Sequence, residues 1–331
     1  MLPASPIARR QTAPGLTLSR RRTVKVAVVG AAHVAALGAL LTNGLALCAA
    51  DSTADRKSQS VGVAPCACCA QGQSGGWHFA ESDNFRVWCQ SNCGAADSIA
   101  KQCECARSDL QKKWFGKDLP ANWTPKCDVV MHASAAEYVR AVGQGSERTA
   151  GSSLVTVKAG RVVSRRLDLR VDRGDALSAV PHELTHVVLA DRFIDRPLPR
   201  WADEGMATLA DSTSKRGEHR RDLLAAVDRR ADLRVAELLS MEGYPSGATW
   251  TTFYGQSASL VEFLLERGEP EALVRFVSQA HLGGYDAALR EVYGIAGVAA
   301  LERQWKASVR QPQIEPATLV RDELRRSNRG G

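Results

Sequence analysis

The stretch His182-Glu183-Leu184-Thr185-His186 constrains this chain more than any other five residues in it. On a helix, residues four apart lie nearly above one another on one face. Both imidazoles then reach a single point beside the helix. Glu183, about 100° further round, is near enough to hold a water at that point. Neutral imidazole suits Zn²⁺, and a catalytic zinc site takes three protein ligands and keeps one position open for water. Leu184, Val187 and Val188 point away from the ligand face, toward a core. Pro181 fits a first-turn position but would kink a helix already running from Ala176. Two polar histidines on an ordinary amphipathic helix give the same pattern, so a third ligand decides between the readings.

Pro199-Arg-Trp201-Ala-Asp-Glu204-Gly-Met-Ala207 offers that ligand, with Glu204 eighteen residues beyond His186. Residues 192–199 contain two prolines and read as a turn. A helix carrying Glu204 can therefore pack back on the first and complete a set of two nitrogens and one carboxylate. Asp203 adjoins the ligand and reads either as a partner behind the site or as a solvated helix charge. Trp201 reads as packing. His219 and His281 sit among polar residues and read as surface positions. His78 and His132 are candidates for a thiolate metal site only if the cysteines bind metal.

The rest of the chain shows alternation first and helical spacing afterwards. Order is expected from about Trp77. Strands are expected at 84–88, 127–131, 154–158 and 161–171, the last two pairing through a turn at Ala159-Gly160. Helices are expected at 95–115, 135–142, 176–190, 200–211, 219–229, 253–267, 269–280, 284–292 and 297–310. Strands followed by helices make an α+β chain, with a mixed α/β lobe over 77–174 and a mainly helical lobe over 175–310. Residues 51–76 read as a Cys-rich linker and 311–331 as a flexible tail.

Charge locates the beginning of the chain. The formal net charge is +7, but residues 1–50 hold six basic residues and no acid, so the remainder carries only +1. With aromatics at 6%, nothing points to nucleic acid. The basic stretch ends at Lys25, an apolar run follows to about Ala50, and small residues precede Asp51, as in a signal peptide. Ser19-Arg20-Arg21-Arg22-Thr23 resembles a twin-arginine export signal. An uncleaved membrane anchor is the alternative, and membrane contact is expected only through this segment. The expected location is periplasmic or extracellular. Without Cys48, eight cysteines remain, all before residue 130, and an even count in an exported chain favours disulfides over a metal cluster.

His-Glu-x-x-His followed by Trp-x-x-Glu-Gly-x-Ala resembles the glutamate-zincin clan of thermolysin-like and zinc aminopeptidase-like enzymes, and most of all the peptidase MA-like group of secreted bacterial proteins. The resemblance runs from about Ser178 to Trp305 and includes Tyr254-Gly-Gln-Ser and Leu301-Glu-Arg-Gln-Trp305. It implies a zincin-like lobe carrying the metal helix, one Zn²⁺ per chain on His182, His186 and Glu204, and Glu183 as general base in hydrolysis of a peptide or protein substrate. It further implies a substrate-aligning edge strand within Val162–Val171. Tyr254 resembles the tyrosine that donates to the oxyanion in zinc aminopeptidases. The Gly-rich motif that grips a free amino terminus in those enzymes is missing. The competing readings are a noncatalytic zinc-bearing module and a disulfide-stapled exported binding module.

Overall fold

A computed structural model describes residues 24–28, 70–74, 76–90, 94–116, 122–173, 176–247 and 249–310. Its strands and helices, in chain order, are β1 Val24–Val28, β2 Ala70–Ser74, β3 Trp77–Glu81, β4 Phe85–Cys89, α1 Gly94–Phe115, β5 Cys127–His132, α2 Ala135–Val142, β6 Gly151–Lys158 and β7 Arg161–Arg170. Helices follow: α3 Val180–Arg192, α4 Arg200–Thr208, α5 Thr213–Asp228, α6 Val235–Ser240, α7 Thr249–Leu265, α8 Pro270–Gly283, α9 Tyr285–Tyr293 and α10 Val298–Val309. The expected α+β order of a mixed half followed by a helical half is therefore observed. Among the described residues no helix is long and apolar enough to cross a membrane.

Period-two burial builds the sheet. Phe85, Val87, Cys127, Val129, Leu167 and Leu169 turn to one face and are buried beneath α1 and α3. Their neighbours Arg86, Trp88, Asp128, Val130 and Arg166 face the other way and line a groove of about 650 Å³ beside α2. The strand order is β1-β6-β7-β5-β4-β3-β2, with β5 parallel to both β4 and β7 and the other pairs antiparallel. Residues 70–74, within the expected linker, pair with β3, and Val24–Val28, within the expected leader, pair with β6. The rest of the leader and linker, the tail, and Cys48, Cys66, Cys68, Cys69 and Cys93 lie outside the described residues.

Three expectations change. The edge strand expected within Val162–Val171 is wrong, because β7 is interior, bonded to β6 on one side and β5 on the other. The Ala159-Gly160 turn, with φ of 52° and 69°, lays β6 outside β7, so β6 lies nearer the edge. Pro181 does not kink a longer helix. A 3₁₀ turn over Ala176–Ala179 precedes α3, and Pro181 occupies its first turn, where no donor is needed. Cys89 is disulfide-bonded, whereas Cys103 and Cys127 are buried free thiols. They lie on the faces of α1 and β5 that meet in the core and pack there as small apolar groups. Burial pushes the Cys103 thiol up to about 12.

One apolar core joins the sheet to the helices, from Phe85 to Trp305. Two glycines set the helix spacing around α7. A Cβ on Gly205 would meet the Ser257 carbonyl oxygen at 2.6 Å, and one on Gly255 would meet the His219 carbonyl oxygen at 2.3 Å. Helices α4 and α5 therefore approach α7 backbone to backbone, which fixes where α4 presents Glu204, the residue just before Gly205.

Candidate metal centre

Helix α3 buries the whole pentapeptide, because α4 covers one side of it and the β6-β7 hairpin the other. His182 and His186 lie one turn apart with ring centroids 5.1 Å from each other. Glu204 comes from α4 and is fully buried. Its Oε2 stands 3.7 Å from His182 Nε2 and 3.8 Å from His186 Nε2. None of these three buried atoms has a hydrogen-bond partner. Ligands about 2.0–2.2 Å from one tetrahedral ion would stand about 3.3–3.6 Å apart. A buried convergence of unsatisfied polar atoms is costly unless something satisfies it, and a divalent cation does so with this donor set. Among the described residues His182, His186 and Glu204 are the group able to hold a metal, their ligand atoms all within 4.8 Å of one another.

Each imidazole is anchored by its other nitrogen. His186 Nδ1 lies 2.7 Å from Asp203 Oδ1, and His182 Nδ1 lies 3.3 Å from Asp211 Oδ2. With both Nδ1–H groups donating, both Nε2 atoms are left as acceptors aimed at the centre. Asp203 is thus a partner behind the site rather than a solvated charge. Asp211 accepts also from Lys215 Nζ at 2.8 Å, and His182 and Lys215 hold its carboxyl well below the usual range against burial. Burial alone would lower His182, but Asp211 and Glu204 outweigh it and push its pKa up to about 10. His186 is raised by Asp203 and Glu204 against the same burial. The pocket therefore favours positive charge at its centre.

Glu183 is buried beside the centre, not in it. Burial raises its pKa, opposed by the two imidazoles and by Ser153. Gly151 makes room for it, since a Cβ there would stand 2.8 Å from Glu183 Cγ. A carboxylate of raised pKa next to a cation site is the type of group that takes and returns a proton near neutrality.

Tyr254 lies at 2 % exposure among His219, Trp250 and Phe253, its ring stacked on His219 at 5.7 Å. His219 is therefore half-buried against the Tyr254 ring rather than a fully exposed surface residue. Burial pushes its pKa down to about 4, with Asp211 and Glu204 opposing. The polar sequence around it, Glu218-His219-Arg220-Arg221, hid an inward-facing ring. His132 is held by Asp168 at 2.6 Å rather than by thiolates. Trp201 is fully buried and donates to the Tyr285 hydroxyl at 3.1 Å.

Asp211, Lys215 and Tyr244 were not anticipated. Asp211 follows Glu204 by seven residues and lies just past the end of α4 at Thr208, so helical spacing does not announce it. Tyr244, in the segment between α6 and α7, donates to Glu204 Oε1. No local pattern announces it.

Residues 170–311 match the family model described as the Peptidase MA superfamily, which covers both histidines, Glu183 and Glu204. The resemblance to the peptidase MA-like group holds over this region. No curated protein matches the chain in a sequence search.

Proposed function

We propose that this chain is an exported zinc-dependent peptidase. The observation that carries the reading is the convergence of His182 Nε2, His186 Nε2 and Glu204 Oε2, buried and without hydrogen bonds, one residue away from a buried carboxylate. When bound, zinc supplies Lewis-acid polarisation and lowers the pKa of its water to about 7. Asp203 and Asp211 hold the imidazoles with Nε2 inward. Glu183 accepts the proton of the attacking water and returns it to the leaving amine. Tyr254 is the proposed donor to the oxyanion.

Strand β6 is the proposed peptide-aligning element. Its residue Gly151 abuts Glu183, and its outer edge accepts extended backbone, since β1 pairs there antiparallel with Val28 opposite Ser153. Removal of residues 1–50 on export would open that edge to a peptide by strand addition.

The test is a peptide-library cleavage assay on the mature chain, with and without a chelator, beside Glu183→Gln. That variant keeps size but cannot accept a proton. It should hold zinc and cleave about 10² or more slower. Cleavage that survives the chelator, or parental rates in Glu183→Gln, would sink the reading.

A further inference from the structure

The two oxygens of Glu204 have different surroundings. Oε2 faces the imidazole nitrogens at 3.7 and 3.8 Å. Oε1 accepts a hydrogen bond from the Tyr244 hydroxyl. Glu204 is fully buried, so water does not compete for either oxygen. Tyr244 itself is firmly seated. Its ring lies 5.0 Å from that of Trp250 and 6.1 Å from that of Phe253, and the Arg200 guanidinium sits over it at 4.9 Å. Trp250 and Phe253 belong to α7, while Arg200 is on α4, one turn before Glu204. The hydroxyl is therefore fixed by the helix that carries the ligand and by the helix packed against it.

We propose that Tyr244 is a positioning residue of the metal centre, committing Oε1 to a hydrogen bond so that Oε2 alone is presented between the two imidazoles. The inference rests on the metal reading given above. Its physical basis is that a carboxylate can offer a cation one oxygen or two. Two histidines and a single carboxylate oxygen make three protein ligands and leave a position open, whereas both oxygens would fill it. A neutral phenol suits the task because it donates one hydrogen bond to a carboxylate without adding charge.

Cobalt(II) uptake tests this apart from activity. Tyr244→Phe removes the hydroxyl and keeps the ring against Trp250, Phe253 and Arg200. The variant should bind cobalt about 10–100-fold more weakly, the usual effect of removing a partner behind a ligand. Its visible d–d absorption should weaken and shift as the coordination number rises. Parental affinity with a parental spectrum would overturn the proposal while leaving the metal reading intact. A parent protein that takes up no cobalt would overturn both. Should Tyr244→Phe fail to fold, site-specific 3-fluorotyrosine at position 244 keeps the ring and makes the hydroxyl a stronger donor. A changed affinity and band position would then support the role, and an unchanged affinity and band would refute it.

Discussion

Two glycine-to-alanine substitutions of the same chemistry should act in opposite directions. Gly205 lies in α4 where a Cβ would stand 2.6 Å from Ser257 O, 2.9 Å from Ser257 C and 2.7 Å from Val261 Cγ2. Two of these are backbone atoms of α7 and cannot rotate aside, so the helices must separate. Overpacking of this kind costs typically about 1–3 kcal/mol, and contact with backbone places it at the upper end. The alanine recovers about 1 kcal/mol of helix propensity. The net loss is about 2 kcal/mol, or roughly 4–8 °C in melting temperature for a body of this size. Gly217 lies in α5, where a Cβ would meet only Arg221 Nη1 at 3.5 Å. There the propensity gain stands alone, about 1 kcal/mol or roughly 2–4 °C upward. Thermal melts of both variants without metal, followed by zinc titration, supply the assay. Gly205→Ala should also bind zinc more weakly, since separating α4 from α7 displaces the adjacent Glu204. Gly217→Ala should bind it like the parent. A Gly205→Ala protein that melts at or above the parent would refute the backbone contact as the reason for that glycine.

Asp211→Asn should lower zinc affinity about 10–100-fold while leaving the fold intact, as read by competition with a chelating dye. An unchanged affinity would return Asp211 to a purely structural role with Lys215. His219 gives a pH signature. Its pKa is lowered from 6.5 to about 4, so between those values the unfolded chain binds its proton and the folded chain does not. Stability should fall as pH drops through that window, by up to about 1.4 kcal/mol per pH unit. His219→Gln should flatten that slope in pH-dependent melts, and an identical slope in the variant would exclude the effect. Tyr254→Phe should fold and bind zinc, yet lose about 10²–10³ in kcat with little change in KM, as for a lost oxyanion donor. A kcat within about threefold of the parent would make Tyr254 a packing residue of the His219 cluster.

Local rules were enough for much of this chain. Helical spacing of four put His182 and His186 on one face, and alternation marked β4 and β5, because both signals lie within a few residues of sequence. Pro181 fitted a first-turn position, and it occupies the first turn of α3 rather than a kink in a helix begun at Ala176. Glu204 was legible because a Pro-bounded turn and a short helix carry it back toward α3.

Tertiary structure decided what depends on distant segments meeting. A lone strand pattern cannot say which neighbours it will find, so β7 read as an edge although it pairs on both sides. Cys103 and Cys127 counted toward an even set of disulfides, yet they are free thiols buried in the core. His219 looked solvated because charge in sequence does not reveal which way a ring turns. Tyr244 lies forty residues from Glu204 in an irregular segment. Only the packing of that segment between α4 and α7 brings its hydroxyl to the carboxylate, because hydrogen bonding acts over a few ångströms of space and leaves no period in sequence.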